Sequence, residues 1–263
     1  MNRKKFVWKD RESDLRKVKR FHDPNHRFEV MYYRTNLWVH TKRVEAMHAS
    51  LIPLLQECYE GFNPKLALLI SRYHDDLELT SFDASLQLKL QMTKEQQDLF
   101  YEKELDAINR ICKHYPQKVE GYWFKDILLH ALNKDCREAQ SHSLIDKHDG
   151  NNESLHEVFA GNIVFLEPVI NYTQEIFSNR VVKFPMIKEM FASDIRCKSP
   201  FLSFPVVDLM ELFSKGNRPV KPHTPWTVSL HSGIPAYEAW KEITLNNFPN
   251  GMDLLINQTE FHQ

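Results

Sequence analysis

From Thr35 to Glu60 the apolar positions Leu37, Val44, Met47, Leu51, Leu54 and Leu55 recur at helical spacing, which predicts one amphipathic helix with Pro53 as its irregular point. The chain then breaks at Gly61-Phe62-Asn63-Pro64. Asn63 suits a cap and Pro64 a first helical position, so "KLALLISRYHDDLEL" reads as a buried helix. Thr93, three residues before Gln96, has the arrangement of a capping box and opens a helix through "TKEQQDLFYEKELDAINRICKHY" that stops before Pro116. "YWFKDILLHALN" and "DCREAQSHSLIDKHDGNNESLHEVFAG" predict two more helices, with Gly150-Asn151-Asn152 as a weak point where the second kinks. No strand alternation is visible up to residue 165, so the expected class is all-α.

After "FLEPVINYTQEIF" prolines fall at short intervals, including Pro185, Pro200, Pro205, Pro219, Pro222, Pro225 and Pro235. A loop-rich tail with three short helices is expected there. Three regions follow: a polar N-terminal arm over 1–27, a helical domain over 28–180, and a proline-rich extension over 181–263. The extension has too much Phe, Trp and Leu for a linker and is expected to pack on the domain.

Composition narrows the class. The 263 residues are 42% hydrophobic, enough for a sizeable core. Lys plus Arg number 34 against 35 Asp plus Glu, so no charge imbalance recruits nucleic acid or an anionic membrane. No apolar stretch reaches membrane-spanning length, and the basic start has no apolar run behind it; a soluble cytoplasmic protein is the expectation. Cys58, Cys112, Cys136 and Cys197 form no CxxC pair and are expected to be reduced and buried. Thirteen histidines favour metal or acid-base chemistry slightly.

The stretch "SRYHDDLEL" concentrates that chemistry. On a helix His74 and Asp75 point about 100° apart, so they converge on one ion only at an edge facing a cavity, with partners from other helices. His40 and Asp146 are candidates, because each lies in an apolar helical stretch where an unpaired polar group is costly. Two histidines and two aspartates suit manganese, iron, cobalt or zinc and lack the thiolates of a closed structural zinc site. Glu78, four residues after His74, falls on the same helical face, within reach of a water there. His48 rivals His40 and Asp149 rivals Asp146, while Asp76 reads as a solvated neighbour, and Trp38 and Tyr73 as core aromatics.

The order His40, His74-Asp75, Asp146 resembles the H...HD...D signature of the HD-domain metal-dependent phosphohydrolases. More narrowly, "RTNLWVHTKRVEAM", "YHDDLELTSFD" and "IDKHDGNNESLHEVFAGN" are similar to three motifs of the bacterial 5′-deoxynucleotidase-like branch, over roughly residues 28 to 165. The resemblance implies an HD-type helical bundle with His40, His74, Asp75 and Asp146 as ligands of one divalent ion (manganese, cobalt, iron, zinc or magnesium). It implies acidic roles for Glu78 and Asp83 around the attacking water and substrate, and a phosphate or carboxylate contact for Arg34. Phe82 stands where close relatives have Gly before the second acid, a bulkier pocket wall.

The implied activity is hydrolysis of nucleoside 5′-monophosphates, deoxy forms included, by a metal-activated water. The alternatives are another phosphoester or phosphoanhydride, such as a nucleoside triphosphate or signalling nucleotide, and a non-catalytic nucleotide-binding regulatory module. No basic cluster beside the motifs favours the longer anions. The expected partner is a small nucleotide, neither nucleic acid nor membrane. The tail is open to three roles: covering the site, holding a homodimer, or adding specificity.

Overall fold

The structure, a computed structural model, describes residues 10–21, 35–81, 86–159, 161–202 and 225–248. Several of its helices begin at side-chain caps. Helix α1 (Arg11–Leu15) is one short turn. The Asn36 side chain accepts the Val39 N–H at 3.1 Å and starts α2 (Leu37–Cys58), which continues through Pro53. Asn63 does the same for Leu66 at 3.1 Å at the start of α3 (Pro64–Tyr73). Helix α4 (Leu86–Gln91) is short, and α5 (Lys94–Ile111) opens with the full Thr93/Gln96 capping box. Then come α6 (Phe124–Asn133), α7 (Arg137–Phe159) and α8 (Leu166–Gln174), a π-helical stretch Glu175–Val181, α9 (Pro185–Ala192) and α10 (Pro225–Asn247).

The all-α class holds, with one small exception among the described residues. Strands β1 (Lys118–Val119) and β2 (Tyr122–Trp123) pair antiparallel across Glu120 and Gly121, whose φ values of 53° and 98° are those of a two-residue hairpin turn. Two residues per strand are too few to leave an alternation in the sequence.

Helix α7 lies at the centre, packed against α2, α3, α8 and α10. Apolar side chains of α2, α7, α8, α9 and α10, such as Met47, Leu144, Val169, Phe191 and Trp240, form one core. Those of α3, α5 and α6, such as Ile70, Ile108 and Phe124, form a second. Residues before and after position 180 therefore share a core.

Four expectations change. Helix α7 runs unbroken through Gly150, because Tyr172 of α8 packs directly on it: a Cβ there would lie 2.3 Å from the Tyr172 ring. The tail holds a 23-residue helix, α10, instead of short pieces alone; Pro225 occupies its first position and the exposed Pro235 is tolerated inside it. Cys58 and Cys197 are exposed and Cys112 and Cys136 half-buried, all four free. Asp76 is fully buried, held by Arg11 Nε and Nη2 at 2.7 and 2.6 Å, and Arg11 in turn stacks over Tyr73 at 4.8 Å. Helix α1 is thus pinned beside His74 and Asp75 through Arg11. No helix among the described residues is long and apolar enough to cross a membrane.

Candidate metal centre

Helix α3 ends at Tyr73, with His74 at its C-cap, and Asp75 adopts φ −96°, ψ 2° before a 3₁₀ turn over Asp76–Leu79. That early ending solves the divergence of adjacent helical residues, since Asp75 sits in the sparsely populated bridge region and turns back toward His74. Glu78 belongs to the 3₁₀ turn, not to an α-helical face shared with His74. It nonetheless lines the same cavity as His74, Asp75 and Asp146, of about 550 Å³.

His40 from α2, His74 and Asp75 from the end of α3, and Asp146 from α7 meet at one point. His40 Nε2 lies 3.1 Å from His74 Nε2, 3.1 Å from Asp75 Oδ2 and 3.3 Å from Asp146 Oδ1. His74 Nε2 lies 3.2 Å from Asp75 Oδ1 and 3.7 Å from Asp146 Oδ1. A cation about 2.1 Å from each donor, at octahedral to tetrahedral angles, holds neighbouring donors roughly 3.0 to 3.4 Å apart. The His74 to Asp146 spacing is wider than that range and the other four fall within it; the donor chemistry suits a divalent ion, and His40, His74 and Asp146 together could hold one.

The other face of each imidazole fixes its tautomer. His74 Nδ1 lies 2.9 Å from the Ser71 carbonyl oxygen, a contact that only an N–H makes, and His40 Nδ1 lies 2.6 Å from Asp149 Oδ2. In each neutral ring Nε2 then carries a bare lone pair. Two such lone pairs 3.1 Å apart, next to two carboxylates, repel unless a proton or a cation lies between them. Burial opposes charge on both rings, yet the carboxylates outweigh it. Asp146, Asp149 and Asp75 hold His40 well above the usual imidazole range, and Asp75 and Asp146 raise His74 to about 9. Burial likewise pushes Asp75 and Asp146 up. His74 and His40 overcome it at Asp75, Lys147 and both histidines at Asp146, and both carboxylates end well below their usual range.

A buried ionic frame supports this centre. Asp149 takes Arg43 Nε on Oδ1 at 2.7 Å and Nη2 on Oδ2 at 2.8 Å, and Trp240 Nε1 of α10 on Oδ1 at 2.7 Å. Glu153 takes Arg43 Nη2 at 2.7 Å and Arg20 Nε at 3.1 Å, and it accepts the Thr35 hydroxyl. Arg20 Nη1 also stands 4.0 Å from Asp75 Oδ2 and lines the cavity.

The rivals fall into place. His48 is buried between the hydroxyls of Ser71 and Ser141, at 2.7 and 2.9 Å, as a packing histidine. Asp149 serves the far nitrogen of His40. Asp146 pairs with Lys147 at 2.7 Å through Oδ2 while Oδ1 faces the histidines. Arg34 and Asp83 lie outside the described residues, as does Phe82.

Sequence reasoning missed Arg20, Arg43, Glu153 and Trp240. The available signal was spacing on two helices: Arg43 follows His40 by three residues, and Glu153 continues the α7 face of Asp146 and Asp149.

The fold and site define an all-α protein with a buried histidine-aspartate group able to hold a metal ion. No protein-family model matches the chain, and no curated protein matches it.

Proposed function

We propose that this protein is a metal-dependent phosphohydrolase of small phosphoesters, with nucleoside 5′-monophosphates, deoxy forms included, as its first expected substrates. The observation that carries the reading is the pair of His40 and His74 Nε2 atoms, 3.1 Å apart between Asp75 and Asp146, with His74, Asp75 and Asp146 lining an open cavity. His40, His74, Asp75 and Asp146 would hold one divalent ion of manganese, cobalt, iron, zinc or magnesium. Such an ion, when bound, lowers the pKa of a water and offsets charge on a phosphoryl group.

The chain's own groups do the rest. Asp149 and the Ser71 carbonyl keep both imidazoles turned with Nε2 toward the centre. Glu78, on the cavity wall, accepts a proton from the attacking water. Arg20 meets a phosphate oxygen, in the role the resemblance gives to Arg34.

Metal analysis of the purified protein, with a nucleotide panel run in manganese, cobalt and magnesium, tests the proposal. One equivalent of metal and turnover that disappears in His74→Ala and Asp75→Ala are expected. Hydrolysis unchanged in both variants would sink it, and metal binding without turnover would leave the regulatory-module alternative.

One observation favours the longer anions. Basic residues distant from the motifs in sequence, Lys89, Lys134 and Arg180 among them, converge in space on the cavity that Lys147 of the third motif also lines.

A further inference from the structure

We infer that the cavity holds a second anion subsite, built by Lys134, Lys147, Arg180, Lys183 and the Ser143 hydroxyl, which takes the distal phosphates of a di- or triphosphate. That these phosphates are the distal ones rests on hydrolysis taking place at the His40/His74 centre; the subsite itself stands on four observations of its own.

The cationic wall is continuous with the metal ligands. Lys147 Nζ sits 2.7 Å from Asp146 Oδ2, and Lys134, Arg180 and Lys183 line the same cavity from the end of α6 and from the chain just after α8.

Its charge is not internally balanced. The Lys134 ammonium donates to the carbonyls of Leu132 at 2.9 Å and Ala131 at 3.5 Å, and among the described residues no carboxylate is in ion-pair contact with it. Burial and the nearby Arg180, Lys147 and Lys89 push Lys134 down to about 7, against the pull of Asp146. An anion would relieve that crowding.

Two buried donors point to the same ligand. Arg180 is 8% exposed and pairs with Glu175 through Nη1, yet among the described residues its Nε–H has no hydrogen-bond acceptor. Ser143, 2% exposed, has a hydroxyl with no partner among the described residues. Leaving such groups unmatched is unfavourable, and both line this cavity.

The backbone there is unusual at both contributing segments. Lys134 holds φ 55° at the C-cap of α6, where Gly or Asn is the ordinary choice, and Arg180 lies in the π-helical stretch, a rare form that is frequent at functional sites.

Titration calorimetry on the full chain, with inorganic phosphate and inorganic tripolyphosphate as probes and EDTA present so that no chelated cation carries the anion, tests the subsite. Tripolyphosphate is expected to bind roughly tenfold or more tightly than phosphate. Lys134→Asn, which suits the positive φ, and the surface variant Lys183→Gln should each weaken tripolyphosphate by roughly fivefold to tenfold and phosphate by less than about twofold. Lys118→Gln, outside the cavity, should change neither.

Equal affinity for the two anions overturns the subsite, as does a loss in Lys118→Gln equal to that in the cavity variants. If Lys134→Asn does not fold, Lys183→Gln decides alone. Expected binding with no turnover of any nucleotide would keep the subsite and remove the hydrolase reading. Monophosphate turnover with tripolyphosphate binding indifferent to both variants would do the reverse.

Discussion

Trp240 Nε1 donates a hydrogen bond to Asp149 Oδ1 at 2.7 Å, and the other oxygen of that carboxylate holds His40 Nδ1 at 2.6 Å. Helix α10, from the proline-studded tail, therefore helps to orient a candidate metal ligand. Trp240→Phe keeps an aromatic ring in the core and removes the donor. It should cost about 1 kcal/mol of stability and weaken metal binding by roughly tenfold. Metal titration with a thermal melt checks both, and wild-type metal affinity in the variant would refute the positioning role.

Asp75 and Asp76 are neighbours with different expected outcomes. Asp76 is a buried counter-ion for Arg11, so Asp76→Asn should lower stability by about 3 to 5 kcal/mol while the metal content of the folded protein stays at the wild-type value. Asp75→Asn should do the opposite, with metal lost and stability less affected. Denaturant unfolding and metal analysis on the two variants separate the roles.

Gly150 lies inside α7, where Ala would ordinarily favour the helix by about 1 kcal/mol. Here the new methyl would collide with Tyr172, whose ring is packed against Phe21 at 6.1 Å between centroids. Gly150→Ala is expected to destabilise by about 1 to 3 kcal/mol. A gain in melting temperature would mean that Tyr172 moves aside freely.

His48 is expected to make the fold acid-sensitive. Burial pushes it down to about 3, whereas in the unfolded chain it takes a proton below about 6.5. The unfolded state thus binds more protons between these values, and stability falls as the pH drops. By pH 5 the loss from this residue is about 2 kcal/mol. Unfolding free energies of wild type and His48→Gln should converge as pH falls from 7 to 5; parallel curves would contradict the assignment.

The sequence made the helices legible wherever an apolar stripe or a cap marked them, as at Asn36, Asn63 and Thr93. It also singled out His40, His74, Asp75 and Asp146, which the fold brings together, because polar residues in apolar helical stretches are few. Helix α7 was harder. Its polar residues Ser141, His142, His148, Asn151 and Glu153 are all buried, because α7 is surrounded by partners, and no apolar stripe in the sequence marks that burial. The Trp240 contact and the cationic wall join residues dozens of positions apart, and no local pattern encodes such pairings. Pro235 likewise suggested a break in α10, but its ring faces solvent and the helix persists.

Asp149 is shared by His40, Arg43 and Trp240, and this has a consequence for how the protein can vary. Once any one of the four is lost, the remaining three no longer sit in the arrangement that gave them value, so a second loss does much less harm than the first. In a library randomised at these positions, survivors should carry either the whole quartet or a wholesale apolar replacement of it, with few intermediates between.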